Sequence, residues 1–256
     1  MKLDHVTSRD NPALVRLRKL TADPGGYRKT GSVWVEGDHL LRAALQRGWP
    51  LGLVVITEGA MQDPALAALA ESAARVLVVP VALFKSLSGL ESPAQIGAEL
   101  ALPGATQVQP QAASVVLDRL QDAGNVGAIL RSAAAFGVRQ VLAMKGTAAL
   151  WSPKVLRAGQ GAHFGLNLVE GLAPADLAAL QVPLVATSSH TEHALNRVAL
   201  PSPCAWVMGH EGQGVSADLM ARCALTVGIP QPGGEESLNV AAAAAICLYE
   251  SERQRG

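Results

Sequence analysis

From residue 53 onward the chain repeats one device: a short apolar run, a turn, then a stretch with helical spacing. LVVIT, RVLVVP, SVVLDRL, QVLAM, PLVATS and AWVMG are such runs, and their apolar cores do not alternate with polar residues. A strand with one face in water alternates, whereas a strand buried on both faces reads as a continuous apolar run. Strands of the second kind, separated by helices, specify a parallel sheet covered on both sides. The fold class is therefore α/β. With 256 residues, 49% of them apolar, the chain can build one large domain or two small ones.

The segment 101–113, ALPGATQVQPQAA, is uncharged and holds two prolines, so it reads as a linker. Before it, Asn11-Pro12 reads as a helix cap with proline at the first helical position, and Leu14, Leu17 and Leu20 follow at helical spacing. SVWVEG reads as a strand, and DHLLRAALQRG, DPALAALAESAA and VALFKSLSG as helices. After the linker, NVGAILRSAAAFG, part of PKVLRAGQGAHF, PADLAALQ, SADLMARC and SLNVAAAAAICLYESE read as helices.

Charge narrows the function only locally. Lys and Arg balance Asp and Glu at 21 each, so no global field draws the chain to nucleic acid. Residues 1–31, however, carry seven Lys or Arg against three Asp or Glu. The three cysteines, Cys204, Cys223 and Cys247, show no metal spacing and suit a reducing compartment. The opening MKLDHVTSRDNP lacks the apolar core of a signal peptide, and no run of about 18 apolar residues is present. A soluble, cytoplasmic protein with no membrane partner is expected.

Three loops could carry chemistry. DRLQDAGNVGAILRSAAAFG joins a strand to a helix that opens near Asn125, with Arg131 nearly two turns on. Ligands of open α/β sheets bind outside the carboxyl ends of strands, where this loop falls. Spacing alone equally allows a capped helix with a solvated arginine. VMGHEGQGVS sets three glycines around Glu211; it fits a loop wrapped against backbone or a flat ligand, or a turn-rich connection. IPQPGGEESLNVAAAAA places Ser237 and Asn239 at the start of an alanine-rich helix, where N-capping alone would explain either residue. Other signals fail. HTEH at 190–193 has no cysteine or acid cluster to complete a zinc site, so no metal is expected. There is no P-loop and no GxSxG nucleophile elbow.

Taken in order, the three loops resemble the three motifs of the SpoU (TrmH) family of RNA ribose 2′-O-methyltransferases, in the SPOUT superfamily. The matching residues are Asn125, Gly127, Arg131 and Phe136-Gly137, then Gly209, Glu211, Gly212 and Gly214. The third set is Ile229-Pro230, Gly234, Ser237, Leu238, Asn239 and Val240, with Leu248-Tyr249-Glu250 behind it. VTSRDNPALVRLRKL followed by SVWVEGDHLLRAALQRG resembles the L30e-like substrate-binding domain of the rRNA-modifying branch.

The resemblance implies an RNA substrate-binding domain over 1–105 and a SPOUT catalytic domain over 106–256 with a deep trefoil knot. It implies S-adenosylmethionine as cofactor, lined by Thr187, Gly209, Glu211, Gly212, Ile229, Pro230, Ser237 and Leu238, and a homodimer sharing its active site. The substrate it implies is RNA, 23S rRNA before others. The basic excess agrees with phosphate contacts from Arg9, Arg16, Arg18, Lys19, Arg28 and Lys29. Catalysis would fall to Arg131, with Asn125 and Ser237 orienting it and the ribose, Asn239 bracing the loop and Glu211 holding the loops together. The 2′-hydroxyl must lose a proton, and arginine, with a pKa above about 12, is a poor base. A cationic Arg131 that clamps phosphate and stabilises the developing alkoxide is favoured over a locally deprotonated one. A tRNA ribose methyltransferase, a non-catalytic RNA-binding SPOUT protein and a base methyltransferase are the competing activities.

Overall fold

A computed structural model describes residues 2–188, 191–233 and 238–256. Gly234, Ser237 and His190 therefore lie outside the described residues. In chain order the strands are β1 (Lys2–His5), β2 (Ser32–Glu36), β3 (Leu53–Thr57), β4 (Arg75–Val79), β5 (Ile96–Ala101), β6 (Ser114–Leu117), β7 (Gln140–Met144), β8 (Asn167–Leu172), β9 (Leu184–Thr187), β10 (Ala205–Met208) and β11 (Leu225–Val227). The α-helices are α1 (Pro12–Ala22), α2 (Tyr27–Thr30), α3 (Asp38–Gln46), α4 (Pro64–Glu71), α5 (Val81–Lys85), α6 (Ala123–Ala135), α7 (Pro153–Gly159), α8 (Ala217–Met220) and α9 (Val240–Arg255). The PADLAALQ stretch forms a 3-10 helix, Pro174–Ala179, rather than an α-helix.

The chain forms two compact units. One holds the residues up to Gly104 together with Trp151–Phe164, and the other holds Ala105–Leu150 together with Gly165–Gly256. The backbone first crosses between the units at Gly104–Ala105, and the stretch around α7 belongs to the first unit. Its aromatic residues explain why. Trp151 and Phe164 meet the ring of Trp49 with centroids 5.6 and 5.4 Å away, and the Trp49 indole donates to the Phe164 carbonyl at 3.1 Å.

The first unit has a five-stranded sheet in the order β1-β4-β3-β5-β2. β1, β4 and β3 are parallel, and β5 runs antiparallel to both β3 and β2. The all-parallel expectation fails here because of β5, whose IGAELA sequence looks unlike a buried strand. Its two odd residues have structural reasons. Gly97 lets the six-membered ring of Trp34 lie against the backbone, since a Cβ there would meet Trp34 Cζ2 at 2.3 Å. Glu99 is buried and answered by Arg16 Nη2 at 2.6 Å and Ser32 Oγ at 2.7 Å. Asn11 caps α1 through its side-chain oxygen, and Leu14, Leu17 and Leu20 enter the core.

The second unit has a six-stranded parallel sheet in the order β11-β9-β10-β6-β7-β8. From β6 the chain steps outward to β7 and β8, then crosses to build β9, β10 and β11 on the other side. The strand order reverses between β6 and β10. At such a reversal the loops leaving the two carboxyl ends diverge and open a crevice. The fully apolar strands pack as expected of a sheet covered on both faces, with Val116, Leu142, Ala186, Ala205 and Val207 all buried.

Candidate active site

The loop leaving β6 and the loop leaving β10 emerge side by side at the reversal. Two carboxylates hold them together reciprocally. Asp118, buried at the end of β6, accepts from the Ser216 backbone N–H of the other loop at 2.6 Å. Glu211, on the second loop, accepts from the Gln121 and Asp122 backbone N–H groups of the first at 3.3 and 3.1 Å. Each loop thus supplies the acceptor that satisfies the other's backbone.

Arg119 adds a third link. Its backbone stands at φ 61°, a conformation that costs a non-glycine residue free energy unless its surroundings hold it. Its guanidinium bridges Asp118 Oδ1 at 3.0 Å and Gln213 Oε1 at 3.1 Å, one from each loop.

The second loop is itself tightly closed. His210 and Gly214 exchange backbone hydrogen bonds at 3.0 and 2.8 Å, and Gly212 N–H donates to His210 Nδ1 at 3.0 Å. Gly209 must be glycine, because a Cβ there would lie 2.2 Å from the Gly214 carbonyl carbon and the Val215 nitrogen.

The third loop joins through side chains. Asn125 Nδ2 donates to Glu211 Oε1 at 3.3 Å, and Asn125 Oδ1 accepts from Asn239 Nδ2 at 2.9 Å. Asn239 also caps α9, accepting from Ala241 and Ala242 N–H at 2.9 and 3.2 Å. The relay Glu211–Asn125–Asn239 therefore takes one residue from each of the three expected motifs. Burial would raise the Glu211 carboxyl, but hydrogen bonds from its own backbone, Asp122, Asn125 and Gln121 outweigh it and hold the group below its usual range.

Asn125 was expected to open its helix. Instead α6 begins at Ala123 under an Asp122 cap, whose Oδ1 accepts from Asn125 N–H at 2.7 Å. That frees the Asn125 side chain for the relay. Arg131 lies on the exposed side of α6, with no hydrogen bond or ion pair to any described residue.

This loop arrangement is matched in sequence. Residues 112–249 match the SpoU rRNA Methylase family, and residues 11–98 match the MRM3-like substrate binding domain. The chain belongs to the SpoU rRNA methylase family.

An uncharacterised tRNA/rRNA methyltransferase of Synechocystis sp. is 34% identical to this SpoU family member, covering 98% of this chain and 94% of its own. The 23S rRNA (guanosine(2553)-2′-O)-methyltransferase RlmP of Bacillus subtilis is 29% identical, covering 86% of this chain and 88% of its own. The SpoU methyltransferase AviRb from Streptomyces viridochromogenes, solved in complex with the cofactor AdoMet, superposes with a TM-score of 0.86 at 25% identity, over 96% of this chain and 98% of that one.

In the SpoU family member, the residues expected around a cofactor fall on three adjacent strands. Thr187 ends β9, Gly209 directly follows β10, and Ile229-Pro230 follow β11 after Gly228. Glu211 and Gly212 sit on the closed loop, Leu238 is exposed just before α9, and Ser237 lies outside the described residues. Gln231 Oε1, in the loop after β11, is a buried acceptor without a donor among the described residues.

The basic N-terminal residues take different roles. Arg16 is committed to Glu99, Arg18 donates to the Arg9 carbonyl at 2.6 Å, and the Arg28 guanidinium lies 4.9 Å from the Tyr27 ring centroid. Lys19 and Lys29 border a groove of about 630 Å³ that also includes Arg16 and Asp23.

Sequence reasoning missed Asp118, Arg119, Asp122, Gln213 and Ser216. Only Asp122 carried a local signal, standing three residues before Asn125 as an N-cap does. Among the described residues no cluster of His, Cys, Asp or Glu could hold a metal ion, and no helix is long and apolar enough to cross a membrane.

Proposed function

We propose that this chain transfers a methyl group from S-adenosylmethionine to a ribose 2′-hydroxyl of RNA, with 23S rRNA as the substrate. The observation that carries the reading is the relay joining Asn125, Glu211 and Asn239, with Arg131 on the same helix as Asn125, exposed and without a partner among the described residues. Family membership and relatives named as 23S rRNA 2′-O-methyltransferases support it.

The cradle fits the cofactor. Gln231 offers a buried acceptor without a donor among the described residues, which suits an amino group such as that of adenine. Thr187, Gly209, Ile229, Pro230 and Leu238 would hold the cofactor, with Ser237, Glu211 and Gly212 beside them. Bound S-adenosylmethionine supplies an activated methyl on a sulfonium.

The chain's own residues supply position and charge. Arg131, exposed and free of an acid partner among the described residues, clamps the phosphate beside the target ribose and stabilises negative charge on its 2′-oxygen. Asn125, fixed on both ends of its amide, and Ser237 orient the ribose. Asn239 fixes Asn125, and Glu211 holds the two loops in register.

The reading extends to the rest of the molecule. Residues 11–98 bind the substrate RNA, with Lys19 and Lys29 meeting phosphate across the groove. The protein is a cytoplasmic homodimer with a knotted C-terminal half and no bound metal. Exposed Ile246 and Tyr249, three residues apart on α9, support self-association.

The test is transfer of labelled methyl from S-adenosylmethionine to total RNA from cells lacking the protein, with the RNA sized afterwards. Label in 23S rRNA at an alkali-resistant linkage is expected. Label in tRNA, or at alkali-labile sites, overturns the substrate or the ribose assignment. No label with intact cofactor binding, on both free RNA and ribosomal particles, identifies a non-catalytic binding protein.

A further inference from the structure

The first unit contains a cavity of about 240 Å³ whose apolar wall includes Trp34, Leu40, Leu87 and Leu156. That is the volume of about eight liquid waters, enough to admit one heterocyclic base. Trp34 is only 5% exposed, and its indole N–H is buried without an acceptor among the described residues. Buried donors in this condition are rare, because the group has lost water and gained nothing in return.

The polar part of the wall is equally specific. His39, Arg157 and Gln160 are exposed, so they stand where the cavity meets solvent. Gln160 is held in place by its own amide, which donates to the Arg157 carbonyl at 2.8 Å. Glu36 also lines the cavity, but its carboxylate is taken by Ser88 Oγ at 2.7 Å and Ala94 N–H at 3.1 Å. Arg157 forms no ion pair with any described residue. Arg157 is the exposed cation at the opening, while Glu36 stays negative in the wall with its Oε1 held by neutral donors.

A planar ring with apolar faces and acceptors on its edge, attached to an anion, matches this wall from inside to outside. Single-stranded RNA presents that chemistry whenever a base is splayed out of its stack. We infer that the first unit takes one unpaired nucleotide of the substrate RNA into this cavity, base inward beside Trp34 and phosphate at Arg157. The inference rests on RNA being the substrate, as proposed above. It adds a second point of sequence reading, away from the reacting ribose.

The test uses the full chain and two variants, Leu156→Trp, whose indole intrudes into the cavity, and Arg157→Ala, at an exposed position. A 23S rRNA transcript carrying 4-thiouridine is crosslinked to the wild type and the attached peptides are mapped. Crosslinks within 34–40 or 153–160 are expected. Each variant should weaken transcript binding about tenfold, as loss of a stacked base does, with S-adenosylmethionine affinity unchanged.

Wild-type transcript affinity in both variants, or crosslinks confined to other segments, overturns the inference. If methyl transfer to RNA persists in that case, the proposed function stands without the cavity. Free UMP and AMP, followed by saturation-transfer NMR, separate the converse. Contact that Leu156→Trp abolishes, in a protein that neither binds nor methylates RNA, overturns the RNA source together with the proposed function and leaves a free-nucleotide site. Should Leu156→Trp fail to fold, Arg157→Ala alone decides.

Discussion

Replacing Asn239 with alanine removes two interactions at once, and the structure allows them to be separated. The side-chain oxygen caps α9 by accepting from Ala241 and Ala242 N–H. The side-chain nitrogen donates to Asn125. Loss of an asparagine cap costs about 1 kcal/mol. A neutral hydrogen bond at an exposed position contributes the lower part of its usual range, about 0.5 kcal/mol. Asn239→Ala should therefore lower stability by about 1.5 kcal/mol, or roughly 3–6 °C in the melting temperature for a chain this size. Asn239→Ser keeps a capping oxygen and cannot reach Asn125, so it should cost only about 0.5 kcal/mol. Catalysis should order the two differently: both variants release Asn125, so both should lose methyl transfer to a similar extent. Differential scanning calorimetry and single-turnover transfer measure the two effects. If Asn239→Ser transfers methyl at the wild-type rate, the relay carries nothing. If serine and alanine destabilise equally, the cap assignment is wrong.

Arg131→Ala should abolish methyl transfer and leave S-adenosylmethionine affinity nearly intact, and Arg131→Lys should also fail because it loses the bidentate fork; calorimetric titration beside a transfer assay checks both. The Glu211 carboxyl is held low by its hydrogen bonds, so the loop clasp should persist as pH falls through the ordinary glutamate range near about 4.3 and fail only below it. Cofactor affinity measured against pH should show that acid limb, and Glu211→Gln should remove it; a limb at or above the ordinary range contradicts the geometry. Arg16→Ala should destabilise the first unit by about 1–3 kcal/mol, a buried-pair value reduced because Arg16 is half exposed, since it strands the buried Glu99 carboxylate. Unchanged stability with a shallower salt dependence of RNA binding would instead make Arg16 a phosphate contact. Burial pushes the Cys204 and Cys223 thiols up to about 11 and Cys247 to about 12, so iodoacetamide at pH 8 should label the native chain far more slowly than the unfolded one.

Much of this was legible in the sequence where local rules decide. Four of the apolar runs became strands of the second, parallel sheet, LVVIT and RVLVVP became the parallel pair β3 and β4 of the first, and Leu14, Leu17 and Leu20 entered the core from a helix that starts at Pro12. Asn125, Glu211 and Asn239 were readable as an ordered set of motifs, and the structure brings their side chains into one relay. What stayed hidden depends on partners distant in sequence. β5 looked unlike a strand because its glycine answers Trp34 and its glutamate answers Arg16. Asp118 and Arg119 read only as the tail of the SVVLDRL strand, and only the approach of Ser216 and Gln213 gives them a task. The backbone of Arg119 adopts a conformation that its residue type does not announce.

Because Trp151–Phe164 belongs to the first unit, the backbone passes from one unit to the other three times. The units are interleaved in sequence, not strung end to end. A single proteolytic nick in the 101–113 segment frees the N-terminal peptide covalently, and only its packing on Trp151–Phe164 within the first unit then retains it. A chain begun at residue 106 would carry Trp151, Leu156 and Phe164 without the partners that bury them. Exchange of the first unit between relatives by one crossover in the gene would split it in the same way. Any boundary for cutting or exchanging the units has therefore to follow three crossings instead of one.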